Sequence, residues 1–132
     1  PTPLVHPDAP PMLFHLSDQK SLAAFHHNRH APTQYKGLSS QMEGQKDRSE
    51  IWVSLSDDGG LTWSEPRFVF ANAIVANLGS AWRDYQCSYM DMFVDEGVLN
   101  LFVPHRWQRA LHLQIREDEL STLPTINTDL GL

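Results

Sequence analysis

The chain has little of what would cross-link it or fit it to a charged surface. Its 132 residues include a single cysteine, Cys87, which excludes an internal disulfide framework and a cysteine-rich zinc site. We therefore expect Cys87 to be a small buried hydrophobic residue. Lys and Arg number 10 against 16 Asp and Glu, so the net charge is −6. Such a balance gives no electrostatic footprint for binding nucleic acid or an anionic membrane, and neither partner is expected.

Long apolar runs and helical periodicity are also missing. Charge, Gly or Pro interrupts every hydrophobic run well before the roughly 18 to 20 residues that a membrane helix needs. No long stretch repeats apolar residues with a period of 3.6. The 41% of hydrophobic residues are nevertheless enough for a core, and they lie in short segments rich in Val, Ile, Phe, Tyr and Trp. A soluble all-β fold is predicted.

Proline, glycine and acidic turn signals divide the chain into segments. The prediction is an extended entry segment at 1–11, a first strand-rich unit at 12–70, a connecting loop at 71–86, a second unit at 87–120 and a tail at 121–132. The five prolines among the first eleven residues make strand or helix unfavourable there. The chain begins at Pro1 without a signal-peptide pattern, and we expect further residues upstream.

The two units resemble each other. With an offset of 77 residues, 12–29 lies over 89–106, and four pairs of identical residues coincide: Asp18 on Asp95, Leu22 on Leu99, Phe25 on Phe102 and Arg29 on Arg106. With an offset of 60, the third strand at 50–56 lies over 110–116. Repeated units of about four antiparallel strands are typical of a β-propeller, and a small β-sandwich is the alternative.

The most informative segment is SDDGGLTW, residues 56–63. A tight loop of this kind needs a short carboxylate at Asp58 to accept hydrogen bonds from the loop's own amides, and Gly60 to adopt a positive φ. The hydroxyls of Ser56 and Thr62 can cap the turn. Trp63 is expected to fold back over it as an apolar lid.

This segment matches every fixed position of the Asp-box, S-x-D-x-G-x-T-W, and so resembles sialidases and other proteins with BNR repeats. The resemblance implies a six-bladed β-propeller, of which this chain would supply about two four-stranded blades. It also implies a structural Asp-box on the face away from the substrate. The remaining blades would come from a longer chain or from an oligomer, because two blades alone leave unpaired edges. The implied location is extracellular or periplasmic.

Sialidases hold the substrate carboxylate with arginines and use a tyrosine nucleophile assisted by a glutamate. On the implied substrate face the catalytic candidates are Tyr85, Tyr89, Glu50 and His27. The candidates for substrate binding are Arg29, Arg48, Arg83, His105, Arg106, Trp107 and Arg109. The segment QCSYMDMFVDEG departs in register from the family's tyrosine region, so the tyrosine is not matched residue by residue.

Histidines open other interpretations. His26, His27, His30 and His105 lie near the ends of the two second strands, where a polysaccharide lyase could use them to move protons beside a uronate. A metal site is a third possibility, but adjacent histidines on a strand point to opposite faces, so only one of His26 and His27 could be a ligand, and no metal-binding residues are predicted. The leading prediction is a glycan-acting hydrolase, an exo-glycosidase on an anionic sugar such as sialic acid, without a cofactor. A lyase and a non-catalytic carbohydrate-binding propeller are the alternatives.

Overall fold

The computed structural model describes residues 4, 11–27, 50–71, 87, 89–105 and 109–125. Within them the chain forms seven strands and one short 3₁₀ helix, Glu117–Thr122. The strands are β1 (Met12–His15), β2 (Leu22–His26), β3 (Glu50–Ser56), β4 (Arg67–Ala71), β5 (Asp91–Asp95), β6 (Val98–His105) and β7 (Arg109–Arg116). No helix in this part of the chain is long and apolar enough to cross a membrane.

The strands form two antiparallel sheets, each a simple meander. Sheet A has the order β1-β2-β3-β4, and sheet B has the order β5-β6-β7. The all-β class predicted from the sequence is therefore confirmed. Sheet B has three strands in the described ranges, and the chain turns into the 3₁₀ helix directly after Arg116.

The first hairpin of each sheet turns differently. In sheet B, Asp95 pairs with Val98, so the reversal takes only Glu96 and Gly97, whose φ values of 46° and 77° suit a two-residue turn. In sheet A the reversal runs through residues 16–21, because His15 pairs with Leu22. Both turns coincide with turn signals that the sequence carries, Asp18-Gln19-Lys20 in the first unit and Asp95-Glu96-Gly97 in the second. The structure does not place Asp18 over Asp95, however, since Asp18 lies within its turn and Asp95 ends a strand.

One hydrophobic core joins the sheets. Its buried members come from both of them: Ala23, Phe25, Ile51 and Val53 from sheet A, and Met92, Leu99, Leu101 and Val103 from sheet B. Cys87 is 0% exposed within the same cluster, as expected for a small buried residue. Full burial of side chains of this size stabilises by roughly 1.5 to 3 kcal/mol each.

The two sheets contact each other through faces that are not equivalent. In sheet A the bond from the Leu16 N–H to the Ser21 carbonyl continues the β1–β2 ladder, so the core-facing residues of β2 direct their backbone groups toward β1. In sheet B the bond from Glu117 N–H to the Gly97 carbonyl continues the β6–β7 ladder. The core-facing residues of β6 therefore direct theirs toward β7. In a strand of L-residues, the direction of a side chain fixes the side to which the same residue's N–H and C=O point. Since the core-facing residues of β2 point back to the preceding strand and those of β6 point on to the following strand, the two sheets contribute opposite faces to the core. The sheets therefore stack front to back.

Strand pairing also refines the internal repeat. Alignment of Phe25 with Phe102 keeps the offset of 77 residues between the second strands of the two sheets. Phe25 pairs with Val53 and Phe102 pairs with His112, so the third strands are related by an offset of 59. The offset of 60 read from the sequence was wrong by one residue, which exchanges the two faces of the strand.

The segment after β7 returns to the edge of sheet A. Leu120 of the 3₁₀ helix is 0% exposed and belongs to the shared core. The Phe68 N–H then donates to the Pro124 carbonyl at 2.8 Å, and Thr125 bridges Arg67 in antiparallel fashion. At the other edge, the Ser17 N–H donates to Glu117 Oε1 at 2.9 Å. Hydrogen bonds from both edges of sheet A thus hold this segment.

Candidate functional site

The sheets have two ends, which we call the far rim and the near rim. The far rim holds the turns at 16–21 and 96–97, the loop 56–63 and the 3₁₀ helix. The near rim is the opposite end, where β2 and β6 end and where β3, β5 and β7 begin. The candidates from the sequence that the structure describes lie at the near rim: His27, Glu50, Tyr89, His105 and Arg109.

Asp58 organises the loop 56–63 on the far rim. Its Oδ1 accepts a hydrogen bond from the Thr62 N–H at 2.9 Å and one from Ser56 Oγ at 2.8 Å, and its Oδ2 accepts one from Thr62 Oγ1 at 2.5 Å. The Gly60 N–H donates to Ser56 Oγ at 2.9 Å. The hydrogen bonds that Asp58 accepts, first of all the one from the Thr62 hydroxyl, lower the pKa of Asp58 from 3.8 to about 2.

Glycine and tryptophan complete the same loop. Gly60 has a φ of 89°, a left-handed conformation that costs other residues free energy. The indole Nε1 of Trp63 donates to the Gly60 carbonyl at 3.0 Å. A Cβ on Gly60 would lie 3.4 Å from Cζ2 of Trp63, so the half-buried indole lies directly against the glycine. The hydrogen bonds, the positive φ and the folded-back ring are those that the sequence predicted for this loop.

A second carboxylate turn on the far rim was not predicted in this detail. Asp18 Oδ1 accepts hydrogen bonds from the Lys20 N–H at 2.9 Å and the Ser21 N–H at 2.8 Å. Together with the Ser21 hydroxyl, which contributes most, they lower the pKa of Asp18 from 3.8 to about 2. The signal was present in the sequence, since Asp at the start of a turn commonly accepts from the amides that follow it.

A groove of about 550 Å³ opens on the far rim between the turns of sheet A and the 3₁₀ helix. Its walls include apolar and acidic side chains, among them Leu16, Leu55, Trp63, Glu117, Asp118 and Ser121. The groove therefore lies at the opposite end of the strands from the described candidates, such as Glu50 and Arg109. No group of three or more His, Cys, Asp or Glu side chains in the described ranges is arranged to hold a metal ion.

The near rim of sheet A gathers His27, Glu50 and Trp52. The Trp52 indole Nε1 donates to Glu50 Oε2 at 2.7 Å, and His27 Nδ1 lies 3.1 Å from the backbone carbonyl oxygen of Glu50. His27 is 1% exposed and Trp52 is 0% exposed, whereas Glu50 is half-buried at the strand end. Two buried side chains thus hold Glu50 at the start of β3, Trp52 through the carboxylate and His27 through the backbone carbonyl.

A buried polar pair continues this group into the sheet. His26 Nε2 lies 2.9 Å from Ser54 Oγ, and both side chains are at most 1% exposed. Sequence analysis did not single out Trp52 or Ser54. The available signal was their spacing from Glu50, because residues two and four positions apart on a strand lie on the same face.

Three further candidates lie around the near rim. Tyr89 precedes β5, is 56% exposed and has a φ of 61°, a left-handed conformation uncommon outside glycine. Arg109 begins β7 and is exposed, and the backbone of His105 ends β6. The other predicted residues lie outside the described ranges: Arg29, Arg48, Arg83, Tyr85, Arg106 and Trp107.

Comparison of the chain with protein-family models, with curated proteins and with solved structures finds no match in any of the three.

Proposed function

We propose that the two sheets are neighbouring blades of a sialidase-like propeller and that the protein is a glycan-acting hydrolase. The loop 56–63 carries this proposal. Its five fixed residues are all those of the Asp-box, and each makes a contact for which the motif needs it: Asp58 binds the loop's own amide and hydroxyls, Gly60 has a positive φ and Trp63 covers it.

The stacking of the sheets supports the same proposal. Blades of a propeller are related by rotation about one axis, so the front of one blade meets the back of the next. A sandwich related by a two-fold axis would instead join equivalent faces. The non-equivalent contact between sheet A and sheet B favours the propeller, and the open face of sheet B would receive a further blade.

The near rim is then the substrate side. We assign Glu50 the role of the carboxylate that assists a tyrosine nucleophile, with Tyr89 and Tyr85 as candidates for that tyrosine. Arg109 is an exposed guanidinium that can bind a substrate carboxylate bidentately, and Arg29, Arg48, Arg83, Arg106, His105 and Trp107 remain proposals for the same surface. An anionic sugar such as sialic acid suits this arginine content. His27 is buried against β3, which favours a supporting position over direct contact with substrate.

Turnover of a fluorogenic sialoside by the protein that carries this chain tests the proposal. We expect release of the fluorophore and of free sugar, with kcat reduced by about 100-fold or more in Glu50→Gln. Asp58→Asn on the far rim is the control and should leave kcat within about twofold. Ultraviolet absorbance of an unsaturated uronate would replace the hydrolase by a lyase, and saturable glycan binding without turnover would replace it by a binding protein.

The native mass tests the fold half of the proposal. A propeller requires more blades than the two described, so the functional particle must contain further strands from the same polypeptide or from other copies. A monomeric, active particle of 15.0 kDa would contradict the propeller.

A further inference from the structure

We propose that Trp52 is a positioning residue, which fixes the carboxylate of Glu50 for the reaction through its indole N–H. This inference rests on the proposed function, because it gives Glu50 a chemical role. The contact itself is independent of that function: the Nε1 to Oε2 distance of 2.7 Å is short for an N–H···O bond and typical of one with a charged acceptor.

The indole is held firmly enough to act as a fixed donor. Trp52 is 0% exposed and is the third residue of β3. Its backbone pairs with His26 of β2 on one side and with Phe68 of β4 on the other, so the residue cannot swing out without breaking the sheet. Its ring packs edge to face on Phe68 of β4, with centroids 5.5 Å apart and an interplanar angle of 74°. Both the backbone and the ring of Trp52 are therefore constrained, and the N–H points in one direction.

The backbone at the start of β3 is adapted to this contact. Ile51 pairs with Phe70 while Trp52 pairs with Phe68, so β4 has one extra residue at this step. Such bulges change the direction of side chains beside functional sites. His27 adds a second constraint, because its ring lies 3.1 Å from the Glu50 carbonyl oxygen. Glu50 is thus held at its backbone carbonyl by His27 and at one carboxylate oxygen by Trp52.

A second tryptophan provides an internal comparison. Trp63 also donates one hydrogen bond from Nε1, at 3.0 Å, but its acceptor is the carbonyl of Gly60 on the far rim. The two indoles make similar bonds at opposite ends of the same pair of strands. Only Trp52 donates to an ionisable side chain, so a role in the chemistry should separate the two, and a purely structural role should not.

The test replaces each tryptophan by phenylalanine in the protein that carries this chain. Trp52→Phe should lower kcat for a sialoside by about 10- to 100-fold through misplacement of the carboxylate, with KM within about twofold. Trp63→Phe should leave kcat within about twofold. In Glu50→Gln, adding Trp52→Phe should cost little more, because a residue that acts through Glu50 has no further effect once Glu50 is neutral. Additive losses would overturn the proposal.

Two measurements keep the test decisive. The indole proton resonance of Trp52, but not that of Trp63, should shift in Glu50→Gln; an unchanged Trp52 resonance would overturn the contact. If Trp52→Phe fails to fold, benzothienylalanine at position 52 removes the N–H and keeps the ring shape, and an unchanged kcat would overturn the positioning role. A wild-type protein that turns over no sialoside would refute the proposed function and this role with it, even where the resonance confirms the contact.

Discussion

Sheets A and B share one core but differ in what they place on their other faces. On sheet A the second face of β2 and β3 is closed: Ala24, His26, Trp52 and Ser54 are all at most 3% exposed. On sheet B the second face is open: Phe93 is 51% exposed, and His112 and Gln114 are exposed. Two similar meanders therefore differ in how completely they are buried.

Polar side chains on the open face of sheet B nevertheless form hydrogen bonds with one another. Asn100 Oδ1 accepts from Gln114 Nε2 at 3.0 Å and lies 2.8 Å from His112 Nε2. The Phe102 ring stacks on His112, with centroids 4.7 Å apart. A face whose polar atoms bond to one another can be covered at little cost. The exposure of a sheet face therefore does not by itself show whether that face contacts solvent or packs against another layer.

The largest expected difference between the sheets is in the free energy of unfolding lost on replacing Phe25 or Phe102, which occupy equivalent positions. Phe25→Ala removes a ring that is 0% exposed from the shared core and should lower the free energy of unfolding by about 3 to 5 kcal/mol. Phe102→Ala removes a half-buried ring and should cost about 1 to 2 kcal/mol. Urea denaturation of the two variants measures both values. Equal losses would show that the open face of sheet B is covered in solution.

A smaller difference in stability is expected when Gly60 of sheet A or Gly97 of sheet B, both on the far rim, is replaced by alanine. Gly60 and Gly97 have positive φ values of 89° and 77°, so alanine costs about 1 to 2 kcal/mol at either position. At Gly60 the added Cβ also meets Trp63 at 3.4 Å and Leu22 at 3.6 Å, whereas at Gly97 the nearest atom is 4.0 Å away. Thermal unfolding should therefore show a larger loss for Gly60→Ala. A larger loss for Gly97→Ala would contradict the contact with the indole.

The smallest effect concerns acid stability and belongs to sheet A. The pKa of Asp58 is lowered to about 2 from 3.8, so its contribution to stability is present above the ordinary pKa and is lost as the pH falls through about 2. Thr62→Val removes the largest cause and should raise the pKa of Asp58 toward 3.8. Carboxylate NMR titration of the two proteins checks the shift. A pKa of Asp58 that is the same in both would refute the assignment to the Thr62 hydroxyl.

The sequence predicted the loop 56–63 better than the near rim, for a physical reason. Asp58, Gly60 and Trp63 interact within eight residues, so their chemistry is local and can be inferred from spacing. Glu50 and His27 are separated by 23 positions, and only strand pairing brings them together. Trp52 was overlooked because a tryptophan in an apolar run resembles any other core residue.

The register of the third strand was the other feature that the sequence did not predict correctly. The repeats of Leu22 in Leu99 and of Phe25 in Phe102 were visible in the sequence and agree with the strand pairing, but Asp18 does not lie over Asp95 and the offset of the third strand was wrong by one. Hydrophobic residues on both faces of β3, such as Ile51 and Trp52, removed the alternation that would have fixed it. Pairing of Val53 with Phe25 settles the register in the structure.

The sequence alone determined the all-β class, the two hairpin turns and the carboxylate loop, because turn residues and amide hydrogen bonds act over a few positions. The front-to-back contact of the sheets, the return of the chain to β4 and the donation from Trp52 to Glu50 were decided only by the tertiary structure. These depend on which face of each strand is buried, and that choice is made by packing between residues far apart in the chain.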